Sequence, residues 1–312
     1  MKKVILCSDV ELEASASIAL LAQSSAIDLL GVVASAGRVS AEEASANAQH
    51  VLQKTGRDIP VLRGSLDAII ADLDPLRKNW EPAPGLNHGK TLRNVSLGDP
   101  REHSGKCGVI WMIDTLMRSP EKVTLLMLGP LTDLALTLKV QPDIAAHIEE
   151  VVIVGGGYRQ TDVSAAAEFN IHYDPEAAAI VFASPLPKTV IPLDCAHSAL
   201  LKEKDLQKAL SGSVAGILAM ESLCRLFQRH KSVDEGASGL PFPMLLGAVY
   251  LFDPLVLGPT IPYRVDVDYS GGYAYGQTVF DTRRIFDNYN CLVSFSTCKK
   301  KLVECLRRLA EG

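Results

Sequence analysis

Positive charge, paired cysteines and long apolar runs are all scarce in this 312-residue chain, and each scarcity excludes something. Lys and Arg number 31 against 36 Asp and Glu, a formal net charge of −5. That argues against a nucleic-acid binder relying on bulk positive potential. The seven cysteines include no CxxC and no paired spacing, so they predict reduced thiols, not a disulfide framework or a zinc ribbon. No apolar run approaches the roughly 20 residues that cross a bilayer, so no membrane association is expected. The basic start MKKVILCSDV has an apolar run of only about four residues before Asp9, too short for a signal-peptide core. Low-complexity segments and internal repeats are missing too. The expectation is a soluble cytoplasmic protein.

What the chain does have is apolar residues, 47% of the total, enough for a sizeable core. They are grouped in alternation. VILCS (4–8), IDLLGVVAS (27–35) and IPVLRG (59–64) read as buried strands, with helices predicted over 12–24 and 41–56 between them. VTLLMLG (123–129), a helix over 131–139, VVIVGGG (151–157) and TVIPLD (189–194) continue the pattern. Strand and helix in alternation predict right-handed βαβ units. Continuous apolar strands predict a sheet covered on both faces. The fold class expected is α/β, a single domain over 1–312 with a mainly parallel central sheet flanked by helices. Residues 65–105, rich in Pro, Gly, Asn and charge, read as a long surface loop.

In open α/β sheets ligands gather at the carboxyl ends of the strands. Four polar clusters fall just after predicted strands, at Ser8–Glu13, Ser35–Arg38, Leu128–Asp133 and Gly155–Asn170, and should converge. Asp9 sits between a strand and a helix, where a carboxylate serves as a general base, a cation ligand or a helix cap. Glu168 and Asn170 in AEFNIHYDPEAA (167–178) are two residues apart, so in an extended segment they share a face. A carboxylate with a carboxamide suits sugar hydroxyls. Asp174 before Pro175 reads as a structural helix cap. The loop sequence NHGK (87–90) offers His88 as a general acid or substrate ligand, and His197 follows a strand with the same ambiguity. A loop histidine is more often an ordinary surface residue.

Taken together, these stretches resemble the inosine–uridine-preferring nucleoside hydrolase family almost end to end. The resemblance is carried by IDLLGVVASAGRVS, NAQHVLQKTGRDIPVLRG, LGPLTDLAL, VVIVGGG, AEFNIHYDPEAA and IPLDCAH in order and spacing, and by the tail from VYLFDP (249–254) to YGQTVFD (275–281). It implies a calcium ion on the pocket floor that holds a water and the ribose hydroxyls. It also implies an Asp base and an oxocarbenium-like transition state in N-glycosidic cleavage. The opening motif D-x-D-P-G-x-D-D of the family reads C-S-D-V-E-L-E-A here. The metal-bound base corresponds to Asp9, a ribose contact to Glu13, and two carboxylate positions to Cys7 and Ala14. The remaining calcium positions fall on the Leu128 carbonyl and on Met244, with Pro243 where the family carries its leaving-group His. Arg38 and Asp162 stand at two family Asn positions. Glu168 and Asn170 match ribose-contact positions of the family, and His88 matches its HG loop.

Asp9 alone, of the three carboxylates that the resemblance places on calcium, is too little for an ion that takes six to eight oxygens. No cofactor is therefore expected, and the standard metal-assisted mechanism should be severely impaired. Arg38 is expected to pair with Asp9 and Glu13 in the cation's stead, holding the Asp9 pKa down. Alternatively it anchors a phosphorylated ribosyl substrate. A soft metal on Cys7, Asp9 and Glu13 is a further option. The assignment is to Asp9 as catalytic residue and Glu13, Arg38, His88, Asp162, Glu168 and Asn170 as substrate-binding. The partner expected is a nucleoside-like small molecule, either hydrolysed or only bound. Leu223, Phe227, Gln228, Arg229 and His230 are candidates for the base-facing side. The resemblance also implies a homodimer or tetramer.

Overall fold

The structure is a computed structural model and describes residues 1–70, 107–231, 239–283 and 288–312. Its first half follows the predicted alternation. Strand β1 (Lys2–Ser8) leads to helix α1 (Leu12–Gln23), β2 (Ile27–Ala34), α2 (Ala41–Thr55) and β3 (Val61–Arg63). Then come α3 (Gly108–Arg118), β4 (Val123–Met127), α4 (Thr132–Val140) and β5 (Ile148–Val154). After β5 the chain forms α5 (Phe169–Tyr173), α6 (Pro175–Ala183), β6 (Lys188–Ile191) and α7 (Leu193–His197). Helices α8 (Glu203–Leu210), α9 (Val214–Lys231) and α10 (Pro243–Phe252) follow. Strands β7 (Ile261–Val267), β8 (Thr278–Asp281) and β9 (Cys291–Val293) and helix α11 (Lys299–Glu311) complete the chain.

The nine strands form one sheet in the order β3-β2-β1-β4-β5-β6-β9-β7-β8. From β3 through β9 every pairing is parallel. The last three strands close the edge with antiparallel pairs, a feature for which the sequence offers only the alternation of IPYRVDV. Side chains alternate across β1 as they must in a strand. Val4 and Leu6 join the core beneath α1, α2, α9, α10 and α11, while Ile5 and Cys7 join the core beneath α3, α4 and α6. Helix α1 is buried from Leu12 to Ala22, so its Ala and Ser residues reflect close packing on all sides.

Local signals set the boundaries. Ser40 and Glu43 form a reciprocal capping box that starts α2, and Gly56 at φ 69° ends it in the left-handed region. Asp174 caps α6 by accepting from the Ala177 N–H, with Pro175 at the first position. It also accepts from the Thr132 hydroxyl and the Ile69 N–H, confirming its structural role. β5 ends before the three glycines, which lie in the loop beyond it. Among the described residues no helix is long and apolar enough to cross a membrane.

Candidate active site

The four polar clusters do converge, at the carboxyl end of β1, β2, β4 and β5. Asp9 stands at the centre, fully buried. Its space is made by two glycines. A Cβ on Gly37 would lie 2.6 Å from Asp9 Oδ2, and one on Gly129 would lie 2.8 Å from the Asp9 nitrogen. The next residue, Val10, has φ 25°, a conformation that costs a β-branched side chain and concentrates at functional turns. The turn is fixed by the Ser8 hydroxyl, which accepts from Val10 N at 3.1 Å, and by Asn47 Nδ2, which donates to the Val10 carbonyl at 2.9 Å.

Asp9 Oδ2 accepts from the backbone N–H of Arg38 at 2.7 Å, while Oδ1 is buried with no hydrogen-bond partner among the described residues. Burial and then the charge of Glu11 raise its pKa to about 6, against the lowering pull of Arg38. This reverses the expectation of a depressed value. Burial outweighs Arg38, whose guanidinium pairs instead with Asp162 Oδ2 at 2.7 Å and lies 4.0 Å over the Phe169 ring. Arg38 thus reaches Asp9 through its main chain and does not form the expected ion pair with Asp9 and Glu13. Its own pKa is lowered by burial but raised more by Glu11, Asp162, Asp9 and Glu168.

Glu13 is also differently employed. Its Oε1 accepts from the N–H groups of Met244 at 2.6 Å and Leu245 at 3.0 Å, at the start of α10. Burial pushes its pKa up to about 8. Residues 168–170 are not extended as expected. Glu168 is the N-cap of α5, its carboxylate accepting from Asn170, Ile171 and Gly156. Asn170 lies inside the helix, where its Nδ2 donates to the carbonyls of Val154 at 2.9 Å and Leu128 at 3.4 Å. Burial, then Asp162, raises Glu168 to about 8. Asp162 is fully engaged, its second oxygen accepting from Phe169 N at 2.8 Å. Beside the site, Asp133 ties the start of α4 to two loops by accepting from the Ser35 hydroxyl and from the backbone and hydroxyl of Ser65.

Three residues matter more than the sequence suggested. Glu11 is the largest charge acting on Arg38 and on Arg229 of α9. Phe169 is the platform for Arg38. Tyr173 donates to Asp67 Oδ1 at 3.4 Å, and burial and Asp67 raise its pKa, with a smaller push from Asp9. The alternation of acids in DVELE was the available signal for Glu11; nothing local marked the other two. His88 lies outside the described residues, as does the His230 side chain. His197 lines a separate open hollow of about 430 Å³ with Tyr158, Arg159, Asp194 and Phe295.

Among the described residues the donors do not fit calcium. Ala14 and Met244 bring no side-chain oxygen, the Leu128 carbonyl faces Asn170, and one Glu13 oxygen is committed to α10. Among the described residues no group of three or more His, Cys, Asp or Glu is placed to hold a metal. The soft-metal triad is not assembled either, because Cys7 points to the other face of the sheet, 3.8 Å from the Met112 sulfur.

Residues 4–307 match the family profile described as inosine-uridine preferring nucleoside hydrolase. The chain is 31% identical to the pyrimidine-specific ribonucleoside hydrolase RihA of Photobacterium profundum, covering 99% of both sequences. It is 30% identical to RihB of Escherichia coli, a hydrolase of the same stated specificity, over 90% of this chain and 87% of that one. The solved purine-preferring ribonucleoside hydrolase of Gardnerella vaginalis superposes with a TM-score of 0.86 at 25% identity, over 99% and 98% of the two chains. With its matching sequence and fold, the chain belongs to the inosine–uridine-preferring nucleoside hydrolase family.

Proposed function

We propose that the protein binds a ribonucleoside or related ribosyl compound at the Asp9 site and hydrolyses its N-glycosidic bond without calcium. The observation that carries this reading is Asp9 itself: a buried carboxylate with one oxygen unpartnered among the described residues and its guanidinium neighbour tied to Asp162. A carboxylate raised to about 6 is ionised at neutral pH and basic enough to take a proton from water. In cleavage through an oxocarbenium-like transition state, Asp9 would supply the base that activates water.

In this scheme the C1′–N bond breaks with its electron pair going to the departing base. Water adds to C1′ as Asp9 removes its proton, and the base nitrogen takes a proton from solvent. Glu13 Oε2 and Asn170 Oδ1 are the oxygens left for ribose hydroxyls, the first also able to donate while Glu13, raised to about 8, holds its proton. Glu168, with both oxygens committed, holds the Gly156 turn in place. Arg38, amid Glu11, Asp162, Asp9 and Glu168, is poorly placed to anchor a phosphate. Binding without turnover is the second reading, favoured by the loss of the calcium donors.

The test is base release from uridine, cytidine, inosine, adenosine and their 5′-monophosphates, in chelator and in calcium. The two relatives make the pyrimidine nucleosides the first candidates. Turnover of nucleosides indifferent to chelator is expected. Thermal stabilisation by a nucleoside with no base release would establish the second reading, and release only in calcium would refute the first.

A further inference from the structure

We propose that Glu13 takes over the mechanical task of a cation, acting as the N-terminal cap of α10 from 231 residues away in sequence. Helix α10 has an unusual need for one. Its N-cap residue, Phe242, offers no side-chain hydrogen bond, and Pro243 at the first position has no N–H. The next two donors, Met244 N and Leu245 N, are buried and both end on Glu13 Oε1. The helix itself is buried from Met244 to Leu251, so water cannot substitute.

The placement gives the cap its further meaning. Glu13 leaves the turn that carries Asp9, and Met244 is the position where the family resemblance puts a calcium carboxylate. A metal would join the β1–α1 turn to the start of α10 through two carboxylates and an ion. Here the side chain of one segment grips the main chain of the other directly. Glu13 is therefore a positioning residue: it sets the distance between Asp9 and the start of α10. This does not depend on whether the chain turns over a nucleoside, so the two proposals fail separately.

The experiment is amide hydrogen exchange on the full chain for wild type, Glu13→Gln and Glu13→Ala, each in chelator and in calcium. Wild type should protect Met244 and Leu245 equally in both buffers. Glu13→Gln keeps an oxygen that accepts the same two bonds, so its exchange should stay within about threefold of wild type. Glu13→Ala should exchange about tenfold faster or more at these amides, with α2 unaffected. If the Ala variant does not fold, Glu13→Asp, shorter by a methylene, should show the same loss. Calcium slowing exchange in wild type would overturn the proposal. So would unchanged protection in the Ala or Asp variant, or a Gln variant as fast as the Ala one.

Discussion

The turn at residues 7–14 and the segment at 155–178 build one site by opposite means. In 155–178 Glu168 and the capping bond of Asp174 are met by their own neighbourhood, while Thr132 and Ile69 reach Asp174 from outside it. Glu168 is held by Gly156, Asn170 and Ile171, and Asp174 by Ala177. In 7–14 the carboxylates depend on distant chain. Asp9 is held by the main chain of Arg38, and Glu13 by the start of α10. The first kind of carboxylate is engaged in caps and turns in this structure. The second kind leaves oxygens uncommitted, and a site can change its chemistry there without losing its fold.

If that division is right, substitutions in the two regions should separate chemistry from stability. Asp9→Asn should give the largest effect, lowering base release by about 10²- to 10⁴-fold. Its melting temperature should hold or rise, because a buried carboxylate with a raised pKa is removed. A variant that loses stability along with activity would erase the contrast. Asp174→Ala should do the reverse. Leaving the Ala177, Ile69 and Thr132 donors without their acceptor should cost about 2–4 kcal/mol by urea titration. The Michaelis constant of the surviving folded enzyme should change little.

The pH dependence sharpens the comparison further, with a smaller effect. Asp9 is raised from 3.8 to about 6, and Glu13 and Glu168 from 4.5 to about 8. Each binds its proton more tightly in the folded state, so its stabilising contribution is full below the unfolded pKa and is lost as pH rises through the folded one. These groups therefore predict a melting temperature that declines from about pH 4 to about pH 8, while base release gains an acid limb near 6 as Asp9 ionises. Glu13→Gln and Glu168→Gln should each flatten the stability decline. A melting temperature that climbs across this range would count against the assigned shifts.

Much of the fold was legible because the strands through β6 are continuous apolar runs and the helices between them carry caps. Ser40 with Glu43, Gly56 and Asp174 with Pro175 each fix an end by local chemistry. The antiparallel edge of β7, β8 and β9 was not legible, since its strands are half-exposed and β9 inserts between β6 and β7, out of sequence order. In the site, strand-end placement was enough to gather Asp9, Arg38, Glu168 and Asn170. It could not say which carboxylate Arg38 would choose, because that depends on the Phe169 ring beneath it. Nor could it reveal the partner of Glu13, a main-chain group with no sequence signature. The mistaken extended reading of 168–170 has a local cause: Glu168 caps, and so starts, a helix that includes Asn170.

The central claim is that carboxylates and main-chain amides have replaced a divalent ion at the Asp9 site. Crystals soaked in about 10 mM calcium at neutral pH address it most directly, since that concentration saturates ordinary protein calcium sites. The account predicts no ion at Asp9 and Glu13 Oε1 still on the Met244 and Leu245 amides. A well-occupied density peak ringed by oxygens and touching Asp9 Oδ1, with Glu13 drawn away from α10, would contradict it.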